Sequence, residues 1–278
     1  MIAPNSHSSS SAKARRSHRH SVRSPSITVG DSRENDGSTS MLADFIDRED
    51  VRAREISRLG HLYYIGSEFS NLHYLVRQRS RRVNEDVFHF GSNMFASRAP
   101  RIPSEALQVP PKRIAEQLID AYFTKINRGF PIVDEEEFRL FYREPGPTRK
   151  MSPLLLNAVF VVGSHVLSAR REDIRAMRNT FFRRTKTLFD SRSEQHREVY
   201  LQAALLLTWH CDNLEEVVSN SWYWIGVATR TAFGMGMHRD VTPSGLNPLD
   251  KRQWVRWWWT MFQFDVMVST SYGRPQAV

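Results

Sequence analysis

Apolar residues recur with a helical period over most of the chain after position 112. From Lys112 onward, and directly after two consecutive prolines, an apolar side chain returns every four residues, at Ile114, Leu118, Tyr122 and Ile126. This spacing places the four side chains on one face of an α-helix, and proline suits the start of a helix. The pattern therefore predicts a helix that begins at Lys112.

The rest of the chain predicts further helices and almost no strand. Phe130–Val133 predicts a short extended piece, and Asp134 followed by Glu137 predicts the capped start of a helix. Helical patterns then cover Ser152–Leu167, Glu172–Asp190, Glu194–Trp209, Ser219–Met235 and Pro248–Tyr272. The first of these five is almost wholly apolar and is expected to be central. A helix over 41–60 and a brief aromatic strand at Leu62–Ile65 complete the prediction, which is an all-α fold.

The N-terminal stretch has a different composition. Residues 1–40 are rich in Ser, Arg and His and hold almost nothing apolar, so they cannot bury enough surface to offset their ordering entropy. We therefore expect a disordered, basic leader over 1–55 and a multi-helix regulatory domain over 56–278. A basic run suits a nuclear localisation signal or a weak phosphate contact, although a solvated tail is the simpler interpretation; its residues are Lys13, Arg15, Arg16 and Arg19.

Charge and cysteine content narrow the possible functions. The formal net charge of +9 favours anionic partners, nucleic acid first, although solvated Arg-rich helix faces would give the same value. One cysteine, Cys211, excludes an intramolecular disulfide and a zinc site built from several thiolates in these residues. No run approaches the roughly 18 apolar residues of a membrane helix, so no membrane partner is predicted.

The most informative segment reads GMGMHRD and precedes a polar loop. Gly234 and Gly236 suit the left-handed or closely packed positions at the end of a helix. His238 and Arg239 then lie near the free carbonyl groups of that end, where positive charge is favourable. Asp240 pairs with Arg239 or caps the following turn. The next helix is expected to begin near Asn247 or Asp250.

The last helix carries an unusual density of tryptophan around Trp257 and Trp258. It is apolar nearly all round, so it is predicted to be buried nearly all round. Asp265 lies inside this stretch, and a buried carboxylate is costly unless it has partners. We expect Asp265 to bond to a nearby arginine or to backbone N–H groups of the His238–Asp240 turn; the candidate arginines are Arg230, Arg239 and Arg274. A place in an effector pocket is the functional alternative for Asp265.

Several catalytic interpretations fail on spacing. His238-Arg239-Asp240 matches the start of a kinase catalytic loop, but Gly245 stands where that loop needs asparagine, and no nucleotide-binding glycine loop is present. Neighbouring residues of a helix point in different directions, so His210, Cys211 and Asp212 do not suit one metal ion. The remaining histidines considered lack metal-ligand spacing, at His61, His73 and His89. No enzyme activity, no catalytic residue and no cofactor is predicted.

These pieces together resemble the fungal-specific transcription factor domain, or middle homology region, of zinc-cluster transcription factors. The matching motif residues are Ala228, Gly236, His238, Arg239, Asp240, Arg252, Trp257, Trp258, Asp265, Ser269, Gly273, Arg274 and Pro275. Upstream, Tyr64–Ser67 and Phe130–Val133 with Phe138 are similar to earlier family motifs. The resemblance covers about residues 60–278, and it is nearest to activators of cutinase, xylanase or fatty-acid utilisation genes.

The resemblance implies a regulatory function in the nucleus. Its implied partners are DNA, the transcription machinery or an effector, and it allows a homodimer. Zinc is implied for the family, but the six cysteines of its cluster are missing here, and the chain stops after Gly273-Arg274-Pro275 where the family domain continues. We therefore expect either a truncated gene product or a divergent member without its DNA reader. A helical interaction scaffold without a transcriptional role is the alternative.

Overall fold

The computed structural model describes residues 44, 46–52, 62–65, 88–91, 102–146, 150–194, 196–210 and 219–278. Seven helices of nine or more residues dominate this part of the chain: α1 (Lys112–Tyr122), α2 (Glu135–Arg143), α3 (Pro153–Leu167), α4 (Glu172–Asp190), α5 (Arg197–Leu207), α6 (Ser221–Met235) and α7 (Pro248–Tyr272). The all-α prediction is confirmed. Residues 1–43 of the predicted leader, with its basic residues from Lys13 to Arg19, lie outside the described residues, whereas Glu49–Arg52 within it form a helical turn.

Shorter elements surround these helices. Helix α1 continues into a π-helical turn, Phe123–Asn127, and a 3-10 turn covers Ser104–Leu107. Strand β1 (Leu62–Ile65) pairs antiparallel with strand β2 (Phe88–Gly91), which confirms the strand predicted at Leu62–Ile65. Of the helix predicted over 41–60, the structure describes helical residues at 44, 46 and 47 and the turn Glu49–Arg52.

Side-chain caps explain where the helices begin. The Ser152 hydroxyl accepts the amide of Leu155 ahead of α3, and Asp134 accepts the amide of Glu137 ahead of α2. Asn220 and Asn247 do the same for α6 and α7. Because these caps are local, the sequence predicted most of the helix starts within two residues.

Helix α5 begins at Arg197, three residues later than predicted. The carboxylate of Glu194 accepts the amide of His196 at 3.2 Å, and the amide of Glu194 donates to the Tyr200 hydroxyl at 3.0 Å. The segment before α5 is therefore folded back onto the helix by specific hydrogen bonds. These bonds replace the helical turn that the sequence pattern predicted.

Helix α3 is the centre of the core, as its apolar sequence predicted. Ten of its fifteen residues are buried, and it packs against α1, α4 and α5. It comes very close to α1 at Gly163, where an added Cβ would lie 2.2 Å from the carbonyl oxygen of Leu118. Only glycine permits this approach of the two backbones.

The segment after the π-helical turn is fixed by one asparagine. Asn127 accepts hydrogen bonds from the Tyr122 hydroxyl and the Val133 amide, and its own amide donates to the Val133 carbonyl. Burial raises the pKa of Tyr122 well above its ordinary value, so its hydroxyl remains a donor. The segment Phe130–Val133, predicted as a short extended piece, is non-helical but contains a tight turn in which the Ile132 amide donates to the Phe130 carbonyl. Its Ile132 carbonyl accepts hydrogen bonds from α5 and α7.

Candidate functional site

The turn between α6 and α7 is built on a left-handed glycine. Gly236 has φ of +83° and ends α6, and the amide of Met237 behind it donates to Ala232. A side chain at this φ would be strained, so glycine is required here. Gly234, in contrast, is an ordinary helical residue with open space around it. The sequence prediction of a glycine-terminated helix therefore holds at Gly236.

His238 and Asp240 each have a structural role in this turn. The His238 ring packs edge-on against Phe233 at 5.2 Å, and burial, followed by the charge of Arg239, lowers the pKa of His238. Asp240 accepts the amide of Thr242 at 2.9 Å, and hydrogen bonds from Thr242 lower its pKa. Asp240 thus caps the following turn, which was one of its two predicted roles.

One aromatic contact connects this turn to α7. Phe233 lies between His238 and Trp258, with its ring centroid 6.0 Å from that of Trp258. The Lys251 ammonium also donates to the Thr242 carbonyl at 2.7 Å. Two motif residues that are twenty positions apart in sequence, His238 and Trp258, are therefore in contact with one phenylalanine.

Helix α7 has one buried face and one exposed face, so the prediction that it is buried nearly all round is wrong. The inner face holds Trp254, Trp257, Met261 and Phe264. The outer face of α7, defined here as Val255, Trp259 and Phe262, is 36–59% exposed. The described residues that pack against α7 lie mainly in α6, so one side of the helix is covered.

Asp265 is buried and fully engaged, but its partners differ from those predicted. One carboxylate oxygen accepts the amides of Ala277 and Val278, at 2.8 and 2.9 Å, and the other accepts the Ser269 hydroxyl at 3.2 Å. The prediction of an arginine or the His238–Asp240 turn is wrong, because the segment after α7 folds back over Asp265. The expectation that a buried carboxylate at this position has hydrogen-bond partners is met by these three donors.

The Gly273–Pro275 segment forms the bend that brings this backbone to Asp265. Gly273 ends α7 at φ of +59°, and the Arg274 amide then donates to Ser269. The Arg274 guanidinium lies over the rings of Trp222 and Tyr272, at 4.9 and 5.2 Å from their centroids. The Trp222 indole donates to the Pro275 carbonyl at 3.2 Å. This bend therefore joins the end of α7 to the start of α6.

Trp257 faces inward and joins three elements at a single carbonyl group. Its indole N–H donates to the Ile132 carbonyl at 2.8 Å, and the side-chain amide of Gln202 in α5 donates to the same oxygen at 2.9 Å. The Ile132 carbonyl therefore connects α7 and α5 to the segment that follows α1. Trp257 also lines a cavity, together with Val133 and Phe138 from the earlier motif.

The cavity has a volume of about 630 Å3 and lies where the starts of α2, α3 and α5 meet α7. We call it the N-cap cavity, because the N-cap residues of those three helices, Asp134, Ser152 and His196, all line it. Its volume is typical of a small-molecule site. Asp265 does not line it, so the alternative of an effector pocket at Asp265 receives no support from this cavity.

The N-cap cavity was not predicted from the sequence. Its walls come from four separate segments, and each wall residue had an ordinary local explanation as a cap, a core residue or a solvated charge. One signal was present in the sequence: capped helix starts recurred at Asp134 and Ser152. Nothing in the sequence placed these two starts beside each other or beside Trp257.

The structure gives no support to a metal site or a nucleophile among the described histidine, cysteine and acidic residues. No group of three His, Cys, Asp or Glu side chains in the described residues has a metal-binding arrangement. His210 is buried and stacks on Phe182 at 3.8 Å, as expected of a packed residue at a helix end. Cys211, Asp212, His61 and His73 lie outside the described residues. In the part of the chain that the structure describes, no helix combines the length and the hydropathy needed to cross a membrane.

Comparison with known proteins gives a consistent result. A family model described as the fungal specific transcription factor domain matches residues 119–277, more than half of the chain. The acetamidase regulatory protein of Aspergillus oryzae is 44% identical over 243 residues, which are 85% of this chain and 31% of that protein. The cutinase transcription factor 1 alpha of Fusarium vanettenii is 32% identical over 277 residues, 93% of this chain and 30% of that protein.

The acetamidase regulatory protein of Emericella nidulans is also 44% identical over 243 residues, 85% of this chain and 30% of its own length. The chain thus spans about a third of the length of the curated relatives it matches. No solved structure matches. The similarity to cutinase-type regulators agrees with the resemblance found in the motifs.

Proposed function

Because this chain belongs to the family of the fungal specific transcription factor domain, we propose that it is the regulatory domain of a transcription factor that controls RNA polymerase II genes in the nucleus. The family match over residues 119–277 carries this proposal. The named relatives are regulatory proteins, which argues against a plain interaction scaffold and against an enzyme.

The contribution that we propose for these 278 residues is regulatory, without sequence-specific DNA binding. The single cysteine cannot hold a cysteine-rich zinc cluster, so sequence-specific DNA binding and zinc would come from residues outside this sequence. The partners we propose are the transcription machinery, an effector, a second copy of the chain and, through a separate reader, DNA. We also propose that the regulatory domain occupies 56–278 and that 1–55 form the leader.

The proposed mechanism is a shift in packing between α7 and the rest of the bundle. Trp257 and Gln202 share the Ile132 carbonyl. The middle of α7 contacts α6 through Trp258 and Phe233, and the end of α7 is joined to α6 through the bend at Gly273–Pro275. An effector that binds one arrangement of these contacts better than another would change the population of that arrangement. The motif residues would hold the helix pair in place and perform no chemistry.

A reporter experiment tests the proposed function. The 278-residue chain is placed between an unrelated DNA-binding domain and an activation segment, and reporter transcription is compared with that of a fusion carrying a flexible linker of similar length. We expect the chain to change reporter output, and we expect the Gly163→Ala variant, which disturbs the α1–α3 contact, to lose part of that effect. Equal output from the folded chain and the linker, at equal protein levels, would contradict the proposal.

A further inference from the structure

We infer that the N-cap cavity binds a small organic cation with an apolar body, of the kind represented by an alkylammonium ion. The residues that line the cavity support this ligand site, and only its regulatory consequence rests on the proposed function.

The lining of the cavity is acidic. Four carboxylates line the cavity, and one lysine opposes them, with His196 as the other titratable group; the carboxylates are Asp134, Glu137, Glu194 and Glu198. With His196 neutral, the formal charge of the lining is −3, in a chain whose net charge is +9. Lys150, the single lysine of the lining, is exposed. A cation is therefore the complementary ligand.

The hydrogen-bonding capacity of these carboxylates points the same way. Asp134 accepts the amide of Glu137, Glu194 accepts the amide of His196, and Glu198 lies 3.3 Å from the imidazole Nδ1 of His196. These bonds hold the acidic side chains at the cavity wall, and a carboxylate can accept several hydrogen bonds. The wall is thus rich in fixed acceptors, which suits a ligand that brings N–H donors.

The apolar part of the wall defines the rest of the ligand. Val133, Phe138 and Trp257 are each at most 6% exposed, and they line the cavity together with Phe141, Leu155 and Val199. A volume of about 630 Å3 is far larger than a metal ion needs. Contact between these apolar side chains and the hydrocarbon part of a ligand removes both from water, which stabilises the complex. The aromatic rings also attract a cation at short range. These features favour an organic cation over a bare metal ion.

The cavity adjoins the contacts that hold α7. Its lining includes Val133, Gln202 and Trp257. Gln202 and Trp257 are the two donors to the Ile132 carbonyl. A ligand in the cavity would touch α2, α3, α5 and α7 at once. Under the proposed function, its binding would favour the arrangement in which α7 is held against these helices.

The test uses the purified 278-residue chain and three probes of equal chain length: hexylammonium, hexanol and hexanoate. Binding is followed by NMR through the indole N–H signal of Trp257, which lines the cavity, with the Trp222 indole as an internal control. We expect hexylammonium to bind with a dissociation constant of about 1 mM, typical of a ligand with few atoms. Hexanol should bind more weakly and hexanoate most weakly.

Two adjacent glutamates of α2 provide a matched pair of variants. Glu137 lines the cavity, whereas Glu136 is exposed and does not line it. We expect Glu137→Gln to weaken hexylammonium binding about threefold to fivefold, the effect of one partly exposed charged contact, and Glu136→Gln to leave it unchanged. Val199→Phe fills the cavity and should abolish binding; if that variant does not fold, the glutamate pair still decides.

Three results would overturn the inference: no binding of hexylammonium up to about 20 mM, some twenty times the expected dissociation constant, hexanoate binding as tightly as hexylammonium, or equal weakening by the two glutamate variants. A failure of the reporter experiment with normal cation binding would reject the proposed function and leave the ligand site intact. Cation binding that fails while the reporter responds would reject the ligand site alone.

Discussion

The indole of Trp257 donates a hydrogen bond to the carbonyl group of Ile132, which lies 125 positions earlier in the chain. This bond fixes α7, the helix with the highest tryptophan content, to the segment that follows α1. Both groups are buried, so neither can exchange its partner for water without cost. Trp257 also lines the N-cap cavity, so this contact lies at the cavity wall.

Replacing Trp257 by phenylalanine should destabilise the chain by about 1–3 kcal/mol, because the donor is lost and the smaller ring leaves a void. Gln202 continues to donate to Ile132, which limits the loss. Urea unfolding monitored by circular dichroism measures the change. Trp259→Phe on the outer face of α7 is the control, since Trp259 is 59% exposed. Similar losses for both variants would contradict the assigned orientation of α7.

Gly163→Ala should destabilise the chain by about 1–3 kcal/mol or more, because the new methyl group would meet the backbone of Leu118. The two helices would have to separate to accept it. Gly226→Ala is the matched control: Gly226 also lies inside a helix, and no atom lies within 4 Å of an added Cβ. That variant should be stabilised by about 0.5–1 kcal/mol. A neutral Gly163→Ala would show that α1 and α3 do not cross so closely.

Asp265→Ala should release the backbone that follows Pro275. The amides of Ala277 and Val278 and the Ser269 hydroxyl lose their acceptor, at an expected cost of about 1–3 kcal/mol. Amide hydrogen exchange at Ala277 and Val278 should accelerate well before global unfolding. Asp265→Asn keeps one carbonyl acceptor and should show a smaller effect. Unchanged exchange in Asp265→Ala would mean that other contacts hold this segment.

Mild acid should weaken the α6–α7 turn through His238. The His238 ring is partly exposed, but its partial burial and the neighbouring Arg239 lower its pKa below the ordinary 6.5, so the unfolded chain takes up this proton more readily than the folded chain. The stability that neutral His238 contributes is therefore present above pH 6.5 and is lost as the pH falls through the lowered pKa.

An NMR titration of the His238 ring measures this pKa directly. Arg239→Gln removes the neighbouring positive charge, so it should shift the midpoint of His238 upward. In unfolding experiments between about pH 7 and 5, His238→Gln should have a shallower loss of stability than the parent chain. A His238 midpoint at or above 6.5 would be inconsistent with the packing on Phe233.

The sequence predicted those features that depend on local chemistry. Caps such as Ser152 and Asn247 mark helix starts because the side chain and its amide partner are three residues apart. Gly236 marked the end of α6 because its conformation is a local property of the backbone. The family resemblance followed from the order and spacing of such features.

The features that were missed depend on contacts between distant segments. The apolar composition of α7 does not reveal which side chains meet a neighbour, so Trp259 was predicted to be as buried as Trp257. The donors for Asp265 are backbone amides, which carry no side-chain signal in the sequence. Gly163 stands in an apolar run in which nothing distinguishes a close helix crossing from ordinary packing.

The two faces of α7 also make this helix subject to two different constraints on substitution. Changes at Trp254 or Met261 alter the folded core, whereas changes at Val255 or Trp259 alter the solvent-exposed surface of the helix. In a saturation scan of α7, protein abundance and reporter output would be scored separately. The positions sensitive in abundance and those sensitive only in output should alternate with a helical period. Positions where abundance stays constant and output changes would identify the exposed residues under selection for function.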